Sequence, residues 1–297
     1  MALINRHPER VFAEIPTPPA PARRLRNLPL FTGGVLVAVI VALAAFAPVL
    51  APYDPTAIDP AIRLTRPSGA HLLGTDRLGR DVLSRILFGG RVAVTVGTVA
   101  VVIGAGLGVP LGLVSGYRAG RLDAVLMSVV NGMMSFPALL LAIMVVAALG
   151  PGHAQVMIAI GVVLIPIFAR LARAQTLAVR AQEFVLAAQA LGAREVRVVA
   201  LHVLPNIAGP LLIQATVAFS GAVLAEASLS YLGLGTQPPT PSWGGMLQEA
   251  RDVLFVAWWM AIWPGVAIAS AVLGLNLFGD GMRDLLDPRL RRGAGAG

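Results

Sequence analysis

The sequence predicts an all-α membrane protein with six transmembrane helices. The composition is the first reason: 57% of the 297 residues are hydrophobic and only 13% are charged, with a mean hydropathy of +0.78. A soluble domain has about 25% charged residues, so the composition indicates a lipid environment. Long uncharged runs and a lopsided distribution of basic residues are the other two reasons.

Each of five uncharged runs exceeds the roughly 20 residues that cross a bilayer. The run 124–169 would form a helix of about 69 Å, more than twice a hydrocarbon core of about 30 Å. The Gly150-Pro151-Gly152 sequence interrupts it in the middle, so five runs predict six spans. The runs are Asn27–Tyr53, Val92–Tyr117, Ala124–Ala169, Val198–Ala225 and Val253–Gly279.

The basic residues indicate the orientation of the chain. All 23 are arginine, and if the six spans alternate, 16 fall on the side of the termini and seven on the other. Because cytoplasmic segments are enriched in Lys and Arg, both termini are predicted to be cytoplasmic. The same distribution accounts for the net charge of +8 without a nucleic-acid partner.

Several kinds of chemistry are excluded by what the sequence lacks. It contains no cysteine, its four histidines are far apart, and it has no HExxH pattern, so no metal site is predicted. It also contains no lysine and therefore no Walker loop, which requires a lysine after its glycines. We expect no enzyme and no cofactor bound by this chain; any ATP and magnesium would be held by partner chains.

The N-terminal third is predicted to contain a tail, a span and an outer segment. Residues 1–27 are rich in proline and arginine and predict a flexible cytoplasmic tail. Residues 28–90 form the first transmembrane helix and an extracytoplasmic segment. The first apolar run is too long for the 7 to 15 residues of a signal-peptide core, so we expect it to be retained as a span.

Within the outer segment, charges of alternating sign recur at helical spacing. This spacing predicts a short interfacial helix supported by the i,i+4 ion pairs Asp76–Arg80, Arg77–Asp81 and Asp81–Arg85. The segment is interpreted either as a solvated connector or as a docking surface for an external partner or a neighbouring subunit. The candidate docking residues are Asp76, Arg77, Arg80 and Asp81, with Pro239 and Trp243 of a later outer loop.

Residues 91–280 are predicted to form a five-helix core, followed by a cytoplasmic tail over 281–297. The second span carries Gly104, Gly108, Gly112 and Gly116 at intervals of four, which predicts a helix face for close packing.

Two places in the core carry polar residues inside spans. Asn131 and Ser135, just before Pro137, indicate either a kinked helix that lines a path or an interhelical hydrogen bond. Glu226 is the one carboxylate well inside a predicted span, and it has either a translocation or gating role or a structural one.

The stretch of about 172–206 is cytoplasmic by the arginine distribution, yet it is too apolar for a solvated loop. Two apolar patterns at helical spacing meet at Gly192 and stop at Leu204-Pro205, with Arg194 between them. They predict two short amphipathic helices that either contact another protein or pack under the bundle. The first pattern consists of Phe184, Ala187, Ala188 and Leu191.

The residues Glu183 to Gly192, followed by His202-Val203-Leu204-Pro205-Asn206, resemble the EAA loop of ABC importer permeases. Three further segments are similar to the C-type permease of dipeptide and oligopeptide importers, and the similarity covers about residues 28–290. They are the segments His71–Arg85, Glu226–Gly244 and Asn276–Pro288.

The resemblance implies a type I ABC importer permease fold in a bacterial cytoplasmic (inner) membrane. It implies a homologous second permease subunit, two ATPase subunits and an extracytoplasmic peptide-binding protein, with a peptide as substrate. The helices around Gly192 would then couple the permease to an ATPase subunit. Leu186 stands where the EAA motif has glutamate and His202 where it has an aliphatic residue, so a salt bridge from the first position is not expected.

Three other functions remain open from the sequence. Importers of nickel or of glutathione share much of this pattern, because the external binding protein largely selects the substrate. A secondary transporter that uses Glu226 as an ion relay is the alternative from another class, and the lack of paired interrupted helices in two halves counts against it.

Overall fold

The computed structural model describes residues 28–286, in which every regular element is a helix apart from one isolated β-bridge between Thr75 and Asp81. The predicted tail 1–27 and the end of the predicted tail 281–297 lie outside the described residues. The helices are α1 (Leu28–Ala45), α2 (Ala47–Leu50), α3 (Val82–Arg118), α4 (Gly120–Met134), α5 (Ala138–Leu149), α6 (His153–Arg180), α7 (Glu183–Ala190), α8 (Glu195–Val198), α9 (Leu204–Tyr231), α10 (Trp243–Ala250) and α11 (Trp259–Leu286).

The described residues contain five helical stretches that are long and apolar enough to cross a membrane. The number reaches the six predicted spans when α4 and α5, a pair bent by 92°, are counted as one span. One of the five is continuous from Glu195 to Tyr231, because a π-helical turn over Val199–Val203 joins α8 to α9. The predicted stop at Leu204-Pro205 is therefore wrong: Pro205 lies in the first turn of α9, where a residue without an N–H is tolerated, and the helix continues through it.

The predicted glycine face of α3 packs against α6. A β-carbon added to Gly104 would lie 2.4 Å from the β-carbon of Leu164, and one added to Gly116 would lie 2.8 Å from that of Thr176. Partner numbers rise together along both helices, so α3 and α6 run in the same direction. The helices α4 and α5, joined by a short bend, connect the end of α3 to the start of α6. Such a connection is what an alternating topology requires between two parallel helices.

The first and last spans pack against each other through small residues as well. Gly33 of α1 meets the backbone of Leu277 and Phe278, and Gly281 of α11 meets Leu30. Helix α11 thus continues past residue 280, where the C-terminal tail was predicted to begin, and its last turns are held against α1.

The outer segment differs from the short helix that was predicted there. Residues 75–81 form a turn, since Gly74 and Gly79 both adopt positive φ values near 80° and break any helix. The added β-carbon of Gly79 would lie 1.8 Å from the carbonyl oxygen of Asp59, so this close approach requires glycine. Asp81 caps α3, which begins at Val82 rather than at Val92.

Candidate functional site

The segment between α6 and α9, which the arginine distribution predicts to be cytoplasmic, is built around a sharp turn at Gly192. Helix α7 ends there because the N–H of Gly192 donates to the carbonyl of Gln189 at 2.9 Å and the N–H of Ala193 donates to that of Ala188 at 3.1 Å. These two bonds make a Schellman motif, whose turn residue needs a left-handed conformation. Gly192 supplies it with φ of +81°, and nothing lies within 4 Å of its added β-carbon.

A small set of valines fixes this segment to the bundle. Val185, Val198 and Val203 are fully buried against the ends of α3, α6 and α9. The side chain of Gln189 donates to the hydroxyl of Tyr117 at 3.0 Å, which holds α7 against the end of α3. These contacts involve the side of α7 and α8 that faces the bundle. The opposite side of both helices makes no such contacts within the described residues.

The side of α7 and α8 that faces away from the bundle is apolar and exposed. The side chain of Leu191 is 89% exposed and that of Val196 is 80% exposed. We call these residues, with Phe184, Ala187 and Gly192, the coupling surface. An exposed apolar patch outside the bilayer marks a contact with another macromolecule.

The residues that the sequence assigned to this contact differ in their exposure. In the second apolar pattern Val196 is exposed and Val203 is buried, so the two do not share one contact face, and Val185 and Val198 are the other buried positions. Other predicted residues are exposed or half-buried around the coupling surface: Glu183, Ala188, Arg194, Leu204 and Pro205.

The predicted kink in the third span is a nearly right-angled bend. Ser135 and Phe136 follow the end of α4, and Pro137 starts α5, because a proline disfavours helical backbone in the residue before it. The hydroxyl of Ser135 donates to the carbonyl of Asn131 at 3.0 Å. Both Asn131 and Ser135 are exposed, and neither makes an interhelical hydrogen bond within residues 28–286.

Two adjoining cavities lie beside the first residues of α5, directly after this bend. One of about 600 Å³ lies between α5, α9 and α11, and one of about 230 Å³ lies between α5, α6 and α9. Both are lined by Leu139, Leu224 and Ser228. We call the lining of these two cavities, together with the exposed residues Asn131 and Ser135 at the bend, the path face.

Glu226 does not belong to the path face. It lies on the other side of α9 from Leu224 and is 1% exposed. The hydroxyl of Ser230 donates to its carboxylate at 2.7 Å, and the same hydroxyl accepts from the N–H of Thr236 at 3.2 Å in the loop that follows α9. Glu226 is thus connected to this loop through Ser230, and these contacts favour the structural role over the translocation or gating role.

The charged residues of the outer segment are buried rather than available for docking. Asp76, Arg80 and Asp81 are between 2% and 5% exposed. Trp243, also considered for docking, is 4% exposed, and its indole N–H donates to the carbonyl of Ile86 at 2.9 Å. A buried side chain cannot form an exposed docking surface, so the prediction that these four residues form one is wrong.

These charges instead form an ion network that joins the outer segment to α10. Asp76 accepts from Arg80 at 2.6 Å, and Glu249 accepts from Arg80 at 2.8 Å and from Arg85 at 3.0 Å. Asp81 accepts from His71 at 3.0 Å when the facing ring nitrogen carries a hydrogen. Sequence spacing paired Asp81 with Arg85, and no sequence signal indicated Glu249, which lies more than 160 residues away.

Two of the predicted docking residues remain on the outer surface. Arg77 pairs with Asp252 at 2.9 Å in solvent, and Pro239 lines an outer groove of about 630 Å³ beside Asp54. The hydroxyl and amide of Thr56 donate to Asp54 and hold the pKa of its carboxyl below the usual range. The groove thus keeps a negative charge over the physiological pH range.

On the inner side, one further ion pair fixes the start of α4. Arg173 of α6 donates two hydrogen bonds to the carboxylate of Asp123, at 2.6 Å and 2.7 Å, and Ser115 of α3 also donates to it. Such a paired, two-bond contact is both stronger and more directional than a single one. It joins α3, α4 and α6 at the start of α4.

Comparison with known families identifies two matching segments. Residues 108–292 match the model of the binding-protein-dependent transport system inner membrane component. Residues 22–67 match the model of the N-terminal TM domain of oligopeptide transport permease C.

Curated relatives match over most of their length. A di/tripeptide transport system permease protein of Pseudomonas aeruginosa is 45% identical over 88% of this chain and 89% of the relative. A glutathione transport system permease protein of Pectobacterium atrosepticum is 41% identical over 91% of this chain and 90% of the relative.

Among solved structures, one of the MetNI methionine ABC transporter in inward-facing conformations matches with a TM-score of 0.53 and 18% identity. The match covers 62% of this chain and 90% of the other. This likeness shows that the bundle has the fold of a type I importer permease.

Proposed function

This chain belongs to the family of binding-protein-dependent transport system inner membrane components, and we propose that it is the permease subunit of an importer of di- or oligopeptides. It is a multi-pass membrane protein of the ABC importer class. The peptide substrate is supported by the relatives named as peptide permeases, whose length this chain covers almost completely.

The energy for transport comes from partner chains in this proposal. The chain has no lysine and thus no Walker loop of its own. Two ATPase subunits would bind the ATP and magnesium, a second and homologous permease would complete the path, and a peptide-binding protein would deliver the substrate from outside. No cofactor is assigned to this chain.

The observation that carries the proposal is the coupling surface. Leu191 is almost fully exposed on a segment that the arginine distribution places in the cytoplasm, where an apolar side chain needs a protein partner. The Schellman turn at Gly192 presents it on a rigid corner. A groove on an ATPase subunit is the partner that fits both the position and the chemistry.

The mechanism follows from differential binding. ATP-driven closure of the two ATPase subunits moves the coupling surfaces toward each other, and the continuous helix from Glu195 to Tyr231 carries that movement into the bundle. ATP and the binding protein must both favour the outward-open state, because a ligand shifts an equilibrium only by its differential affinity. Hydrolysis then restores the inward-open state.

Both termini are cytoplasmic in this proposal, in a bacterial cytoplasmic membrane. Glutathione, itself a tripeptide, is the nearest alternative substrate, because a glutathione permease is similar over the same length. Nickel is less well supported, because the relatives described above are named as permeases for peptides and for glutathione.

The test is to purify the chain with its co-expressed genomic neighbours and reconstitute the complex in proteoliposomes. We expect a second permease and ATPase subunits to copurify, and a peptide-loaded binding protein to stimulate both ATP hydrolysis and peptide uptake. Uptake by the chain alone, driven by a proton gradient and independent of ATP, would instead establish a secondary transporter.

A further inference from the structure

Arg170 is an exposed arginine inside a membrane-spanning helix. It lies 17 residues after the start of α6, about 26 Å along the helix at 1.5 Å per residue. Its guanidinium contacts the sulfur of Met134 at 3.3 Å, at the bend between α4 and α5. Whereas Arg173 is bound by Asp123, Arg170 forms no ion pair with any residue from 28 to 286.

The direction of Arg170 follows from the helix period. Val163 precedes it by seven residues, two turns of helix, so both side chains lie on the same face of α6. Val163 and Ile160 line the smaller cavity between α5, α6 and α9. Arg170 therefore extends the path face toward the cytoplasm, and it meets Met134 where that face bends.

A charged side chain at this depth is costly unless it faces water or a partner. The free energy of placing arginine in a span reaches about 2.5–3.5 kcal/mol at the centre and falls toward the ends. The guanidinium fork matches a carboxylate with two parallel hydrogen bonds. Every unmodified peptide carries one carboxylate that does not depend on its sequence, at its C-terminus.

We propose that Arg170 binds the C-terminal carboxylate of the peptide at the inner end of the path, beside Asn131 and Ser135. The inference rests on the proposed function and names the chemistry of its path. The adjoining cavities offer apolar surface to peptide side chains, whereas Arg170 recognises what all peptides share. Such a site combines tolerance of sequence with recognition of the free peptide end.

The test crosses one substitution with one change in the substrate. Import of trialanine and of its C-terminal amide is measured in proteoliposomes that contain the complete complex, with wild-type permease or with Arg170→Gln. The ratio of acid to amide import is compared between the two permeases. The preference of the binding protein is the same in both and cancels, so the remaining factor reports contact between Arg170 and the carboxylate.

We expect the acid-to-amide ratio to fall about tenfold in Arg170→Gln, the size typical of one charge-assisted hydrogen bond. Arg121→Gln, an exposed arginine at the start of α4, is the matched control and should leave the ratio unchanged. Arg170→Met retains a long side chain but lacks the guanidinium. It replaces Arg170→Gln in the test if the glutamine variant does not assemble.

An unchanged ratio in assembled Arg170→Gln or Arg170→Met complexes would overturn the inference, and the arginine would then be turned toward lipid headgroups or a partner chain. If the wild-type complex imports neither form of trialanine nor other peptides, the proposed function itself fails. The two failures are thus distinguishable.

Discussion

Gly112 of α3 lies directly against Ala169 of α6, so close that an added β-carbon would stand 2.3 Å from the carbonyl oxygen of Ala169. The contact repeats at every fourth residue along α3. Because the partner atoms at Gly112 belong to the backbone, they cannot move aside as the end of a flexible side chain can. The two helices are therefore a single rigid unit at the centre of the bundle.

Substitution of this glycine should disrupt the unit. We expect Gly112→Val to destabilise the folded chain by at least about 1–3 kcal/mol, the range for overpacked cores. Gly106→Val is the matched control on the same helix, because nothing lies within 4 Å of a β-carbon there. Thermal unfolding of the purified proteins in detergent measures the difference, and equal midpoints would contradict the packing described.

A second prediction concerns Gly192, the turn residue of the coupling surface. Gly192→Asp should uncouple ATP hydrolysis from peptide import, because it places a charge beside Leu191 where an ATPase subunit is proposed to bind. Aspartate tolerates the left-handed backbone better than most residues do, so we expect the chain to fold.

Gly120→Asp is the control for backbone strain. Gly120 has φ of +69° and open space around it, like Gly192, but it is the first residue of α4 and is not part of the coupling surface. We expect Gly120→Asp complexes to retain import stimulated by the binding protein. Normal import by Gly192→Asp at normal membrane levels would remove the coupling role of this turn.

The outer ion network allows a comparison of buried and exposed charges. We expect Glu249→Ala to cost about 3 kcal/mol, because it leaves the guanidiniums of Arg80 and Arg85 with one carboxylate fewer in a buried site. Asp252→Ala should cost less than about 1 kcal/mol, because its pair with Arg77 is exposed. Thermal unfolding of both variants tests the difference. Similar losses of stability would show that the buried network contributes no more to stability than the exposed ion pair.

The order of spans, the glycine face and the turn at Gly192 could be predicted from the sequence, because each depends on hydrophobicity or backbone geometry within a few neighbouring residues. The outer ion network could not. Helical spacing paired Asp81 with Arg85, yet the carboxylate of Asp81 caps α3 by accepting from the N–H of Ser84, and Arg85 reaches Glu249 instead. Partners so distant in sequence meet only through the packing of whole helices.

The path face was predictable in part for the same reason. Pro137 indicated a break in the third span, but the 92° angle depends on how α5 packs against α6. Arg170 gave no signal in the sequence beyond its position near the end of a span. Its direction became evident only with the cavity that Val163 lines.

The anchoring of Glu226 predicts a separation of stability from transport. Glu226→Gln replaces one acceptor oxygen with an NH₂ group that cannot accept from the hydroxyls around it. We expect a loss of about 1–3 kcal/mol in stability, with import per assembled complex close to wild type and insensitive to collapse of the proton gradient. Loss of import at unchanged stability would restore the relay role.

The predicted orientation can be tested by labelling single cysteines, since the chain has none of its own and the background is zero. Ala190→Cys lies at the exposed end of α7 and Thr240→Cys on the exposed outer loop. If the positive-inside rule holds for this chain, a membrane-impermeant maleimide labels Thr240→Cys in intact spheroplasts and reaches Ala190→Cys only after permeabilisation. The reverse pattern would put the coupling surface outside the cell, where no ATPase subunit could reach it, and would exclude the proposed mechanism.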